Sequence, residues 1–97
     1  MTLDEFHATL TAANPPDALG ALLTALWHDR RGSWDRAHAI AQDVADFDGG
    51  AWVHAYLHRK EGDLGNAAYW YRRANQPVAT DSLDAEWERL VKAFLER

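Results

Sequence analysis

Two histidines four residues apart, His54 and His58, lie in the stretch "HAYLHRKEGDLGNAAYWYRRA" that runs from His54 to Ala74. On a helix this spacing aims both imidazoles from one face. Such a pair suits Zn²⁺ or Ni²⁺. The chain contains no cysteine, so thiolate zinc sites, iron–sulfur clusters, disulfides and a cysteine nucleophile are excluded. His28 stands thirty residues before His58. If the two come close in space, His28, His54 and His58 form a three-imidazole site with an open coordination position. Against this stands a plainer role, in which histidines at helix ends hydrogen-bond between helices. No HExxH or similar metalloenzyme spacing accompanies them. The expectation is therefore no metal or other cofactor, with the His28/His54/His58 cluster as the alternative.

The same stretch carries Tyr69-Trp70-Tyr71 followed by Arg72-Arg73. Two cations at a helix C-terminus complement its dipole. Joined by Arg59 and Lys60, they could hold a carboxylate or phosphate. They could equally pair with Glu61, Asp63 or nearby acids and simply solvate a helix end. Catalysis has less support. "GSWDRAHA" places Ser33, Asp35 and His38 close together, but Ser33 is better suited to capping a helix than to attacking a substrate. There is no phosphate-binding glycine loop. The chain is not expected to be an enzyme.

Composition narrows the partners. The net charge of −5 repels phosphate backbones, so nucleic acid is not an expected partner. No polybasic or lipidation signal points to a membrane surface, and no apolar run is long enough to span a bilayer. The start "MTLDEFHATL" lacks the basic-then-apolar layout of a signal peptide. A cytoplasmic location is the expectation. The hydrophobic share of 47%, with five Trp, three Tyr and three Phe, argues for a packed core.

The elements that must carry these residues are short helices separated by Gly and Pro. No stretch alternates apolar and polar residues as a strand does. Leu3, Phe6, His7 and Leu10 mark one face of a first helix, about 2–13. "NPPD" stops it, and Asn14 or Asp17 is placed to cap the next. "DALGALLTALWHDRR" and "AWVHAYLHRKE" are apolar nearly all round, which predicts burial on more than one side. Ser33 and Asp63 are placed to cap the helices that follow Gly32 and Gly62. Asp81 or Ser82 opens a last helix, about 81–96, with Leu83, Trp87, Leu90, Val91 and Phe94 on one face. Most of the five tryptophans fall on apolar faces and are expected in the core.

Shifting the chain by thirty residues reveals an internal echo. Gly20, Ala21, Ala25, His28, Gly32 and Ala37 align with Gly50, Ala51, Ala55, His58, Gly62 and Ala67. Chance would give roughly two or three such matches in this alanine-rich window. The pattern of a helix, a Gly, a capping residue and an Ala five residues after the Gly resembles tetratricopeptide-type repeats, and Sel1-like repeats in particular. "GSWDRAHAIAQDV" and "GDLGNAAYWYRRA" carry the likeness, and "AAYWYRRA" is similar to the close of a Sel1 repeat. The whole stretch also resembles a family of short bacterial proteins of this type. His28 and His58 depart from the pattern, standing where such repeats usually have Tyr. The Pro that ends each repeat is absent from the first and comes early, at Pro77, in the second.

The resemblance implies an all-α fold of about six short antiparallel helices. Repeat 1 covers about 17–46 and repeat 2 about 50–76, flanked by terminal capping helices in one domain. It also implies a concave face built from the first helix of each hairpin, here carrying Leu22, Leu26, Trp52 and Tyr56. With only two repeats, one or both terminal helices are expected to pack over that face. The functional expectation is a small protein–protein interaction or adaptor domain. Trp52, Tyr56, Arg59, Tyr69, Arg72 and Arg73 are its candidate contacts, and the partner is a protein of unspecified identity or a second copy of the chain.

Overall fold

The computed structural model describes residues 1–97. Six α-helices follow in order: α1 (Leu3–Thr9), α2 (Ala21–Arg30), α3 (Trp34–Gln42), α4 (Gly50–Lys60), α5 (Leu64–Arg73) and α6 (Leu83–Leu95). A 3₁₀ turn, Asp46–Asp48, joins α3 to α4. There are no strands.

Helices α2 and α3 form one hairpin, α4 and α5 a second, and α3 packs on α4 to join them. The two hairpins close in the same way. Gly32 and Gly62 take φ +86° and +88°, left-handed values that side chains resist. In the first, the Ser33 and Gly32 amides donate to the His28 and Asp29 carbonyls. In the second, the Asp63 and Gly62 amides donate to the His58 and Arg59 carbonyls. Each pair is a Schellman closure, which satisfies carbonyls a helix end would leave free. Helix α5 ends likewise at Asn75, with φ 56° and the Gln76 amide on the Tyr71 carbonyl. Ala25, Ala37, Ala55 and Ala67 are all essentially inaccessible, so the helices of each hairpin approach over small side chains.

Helix α6 lies across α2 and α4, and α1 packs on α6. This covers most of the concave face: Leu22, Leu26 and Tyr56 are buried. Trp52 is half-buried, with its ring edge against Phe94 of α6. Trp87 is fully enclosed, and its indole N–H donates to the Leu26 carbonyl at 3.0 Å. Trp27 is buried too, whereas Trp34, Trp52 and Trp70 are half-buried.

Several local expectations need correction. Helix α1 stops at Thr9 rather than near residue 13, because the Thr9 and Thr11 hydroxyls donate back to the Phe6 and Ala8 carbonyls and the chain turns. Helix α2 begins at Ala21, with Gly20 as its N-cap, so neither Asn14 nor Asp17 caps it. Ser33 occupies the N-cap of α3 without a side-chain capping bond. Asp63 caps α5 through the Asn66 amide, and Ser82 caps α6 through the Ala85 amide. No helix is long and apolar enough to cross a membrane.

Candidate functional site

The six candidate contact residues divide into two groups. Tyr56 and Arg59 face inward and are occupied. The Tyr56 hydroxyl donates to Asp29 at 2.8 Å, and Lys60 reaches the other oxygen of that carboxylate at 2.9 Å. Arg59 donates to Glu86 at 2.8 Å, and the Tyr71 hydroxyl donates to the second Glu86 oxygen. Asp29 and Glu86 are buried carboxylates, so each needs these partners. Burial, then the adjoining carboxylate, pushes the Tyr56 hydroxyl well above its ordinary range. Tyr71 is raised by burial and by its hydrogen bond to Glu86. Tyr56 and Arg59 therefore fasten α4 to α2 and α6, and they are not free for a partner. From sequence these basic residues are expected either to hold a carboxylate or phosphate or to pair with Glu61, Asp63 or nearby acids. The structure pairs Arg59 with Glu86, Lys60 with Asp29 and Arg73 with Asp46.

Tyr69, Arg72 and Arg73 are exposed on α5. Arg73 bonds Asp46 of the 3₁₀ turn at 2.7 Å and lies 5.5 Å from the Tyr69 ring centre. Arg72 has no ion-pair partner. Next to the Asp46 that holds Arg73, Phe47 at the middle of the 3₁₀ turn is 88% exposed, more than any other large apolar residue. A cleft of about 360 Å³ between this turn and the end of α5 is lined by Phe47, Trp52, Arg73 and Arg97. Phe47 was not singled out from sequence, since a lone Phe between aspartates has no periodicity to place it. The largest cleft, about 620 Å³, lies between the start of α2 and the end of α6 and is lined mainly by Leu19, Leu22, Leu23, Phe94 and Leu95. None of the candidate residues borders it.

The histidines regroup. His54 and His58 do project from one face of α4, with ring centres 4.9 Å apart. Their third neighbour is His38 of α3, not His28. The His38 and His54 Nε2 atoms lie 2.7 Å apart, one donating to the other. Ligating nitrogens of His38, His54 and His58 all fall within 4.8 Å of one another. His28 instead faces its own hairpin partner, near Arg36 and Arg31, as His58 faces Asn66. Those two pairs are thirty residues apart, so the repeat relation carries His28 to the same place in the other hairpin rather than into contact with His58.

Two tryptophans wall the cluster. Trp34 stacks on His38 at 4.8 Å, and Trp70 stacks on His54 at 4.0 Å. His58 Nδ1 is held by the Glu61 carboxylate at 2.7 Å. Burial, with His38 and His58 adding repulsion, pushes His54 down to about 4, so it is neutral at neutral pH. His38 is lowered by burial and by His58, with Glu61 and Asp35 opposing. Its spacing four after Trp34 was the signal for the stacked pair. In the sequence reading His38 was grouped with Ser33 and Asp35, yet Ser33 sits at the helix cap and Asp35 is exposed.

Comparison of the chain with family models, with curated proteins and with solved structures finds no match in any of the three.

Proposed function

We propose that this chain is a small tetratricopeptide/Sel1-like interaction module of the bacterial cytoplasm, acting through contact with a protein partner. Its contact surface is the edge formed by the 3₁₀ turn and the outer face of α5, and not the covered concave face. The observation that carries this reading is Phe47, 88% exposed on a cleft it shares with Trp52 and Arg73. Aromatic residues and arginine are the side chains that dominate binding energy at protein interfaces. Trp52, Tyr69, Arg72 and Arg73 keep their assigned role on this edge, and Phe47 joins them. The complementary surface is a folded protein with an apolar pocket for Phe47 and a rim carboxylate for Arg72.

A photo-crosslinking amino acid placed at position 47 in living cells tests this. Discrete adducts are expected from position 47 and not from the exposed Lys92 of α6. Adducts of twice the chain mass would identify the partner as a second copy. Absence of adducts from position 47, or the same adducts from position 92, would reject the surface.

A further inference from the structure

We propose that His38, His54 and His58 form a site for a divalent first-row transition metal, with Zn²⁺ as the ion that fits best. This inference is independent of the interaction surface. It starts from a mismatch between the cluster and a purely structural role. One N–H between His38 and His54 satisfies two facing nitrogens. On His58, Nδ1 is held by Glu61 and Nε2 has only the Asn66 side-chain amide at 3.4 Å. At the position thirty residues before His54 the first hairpin carries Thr24, whose hydroxyl donates to its own helix at Gly20. The hairpin closure therefore does not require an imidazole at position 54.

The arrangement has the parts a zinc site needs. Three imidazoles come from two packed helices, two of them four apart on α4. Glu61 on His58 Nδ1 fixes that ring's proton away from Nε2 and leaves Nε2 as the ligating atom. A carboxylate in this position also raises ligand basicity. Trp34 and Trp70 hold the His38 and His54 rings in place by stacking. All three imidazole nitrogens lie within 4.8 Å of one another. Tetrahedral bonds of about 2.1 Å set ligand atoms about 3.4 Å apart. The His38–His54 pair, now at 2.7 Å, opens by a fraction of an ångström to accept the ion. Three protein ligands leave a fourth position for water or an exogenous anion, the pattern of an open site.

A second grouping, His58 with Glu61 and Asp63, shares His58 but is exposed at both carboxylates. It would compete with the first, since Glu61 cannot both ligate the ion and orient His58 through Nδ1.

The test uses untagged protein stripped by a chelator and titrated with Co²⁺, then Zn²⁺. Saturation at one ion per chain is expected, with the intense visible absorption of four- or five-coordinate Co²⁺, bleached by Zn²⁺. His38→Gln and His54→Gln should each weaken binding by at least about 100-fold, and Glu61→Gln by about 10-fold. His28→Gln should leave it unchanged. Circular dichroism checks folding; if His54→Gln unfolds, the half-buried His38→Gln decides. Absence of saturable binding, or full affinity in His38→Gln, would overturn the site. So would loss of binding in Asp63→Asn with retention in His38→Gln, because the ion would then belong to the second grouping.

Discussion

The two hairpins share a closure and differ in what they enclose. Both turn on a left-handed Gly with the same pair of backbone hydrogen bonds, and both are spaced by buried alanines. At the positions equivalent to His54 and His58 the first hairpin is plainer: Thr24 bonds its own helix and His28 stays half-exposed near cations, while its Asp29 and His38 reach across to α4. The second is packed on both sides. Its α4 contacts α3, α5, α6 and α2, and eight of its eleven residues are buried. Position in the stack explains the difference. An interior helix has more neighbours to satisfy, so its polar residues must find partners, and His54, His58, Tyr56 and Arg59 all do. The lesson is that a repeat preserves the turn, while the place in the array decides which side chains can become a site.

The strongest way to break this comparison is to cut the ties of α4. Glu86→Ala should destabilise the protein by about 3–5 kcal/mol in urea unfolding, because it strips the half-buried Arg59 of its carboxylate and leaves the buried Tyr71 hydroxyl unpaired. Asp29→Ala should cost less, about 2–3 kcal/mol, since Lys60 is partly exposed and can turn to water. A reversed order would mean that the first hairpin, and not the second, carries the main anchor.

Acid should expose the second hairpin next. The folded value of His54, about 4, lies below its ordinary 6.5. The unfolded chain therefore binds more protons between these values. Stability is fully present above about 6.5, falls as pH drops toward 4, and levels off below. The loss amounts to at most about 3 kcal/mol. Thermal melts of wild type and His54→Gln across this range should diverge, with the variant less pH-dependent. The turns themselves should behave alike: Gly32→Ala and Gly62→Ala should each cost about 1 kcal/mol, as both force a side chain into φ near +87°. Unequal costs would weaken the equivalence of the closures. Smallest of all, His28→Gln should change stability by no more than about 0.5 kcal/mol.

Much of the scaffold was legible in the sequence, and for physical reasons. The glycines at thirty-residue spacing and the all-round apolar character of α2 and α4 pointed to buried hairpins, and the stripe from Leu83 to Phe94 marked α6. Helix ends were less readable where competing local bonds decide them, as at Thr9 and at Gly20. The candidate site was half legible. His54 and His58 followed from spacing within one helix. His38 did not, because its contact depends on how α3 packs on α4, which no within-helix spacing encodes. The ties of Tyr56 and Arg59 were not legible, because their partners, Asp29 and Glu86, lie 27 residues away in each case.

In the proposed metal site His38 of α3 joins His54 and His58 of the second hairpin, while His28 stands apart. Long-range ¹H–¹⁵N spectra of the five imidazoles, recorded as Zn²⁺ is added to one equivalent, test it most directly. The expected result is ligation shifts at His38, His54 and His58 alone, with His7 and His28 unmoved. Shifts at His28, or weak shifts spread evenly over all five, would contradict it.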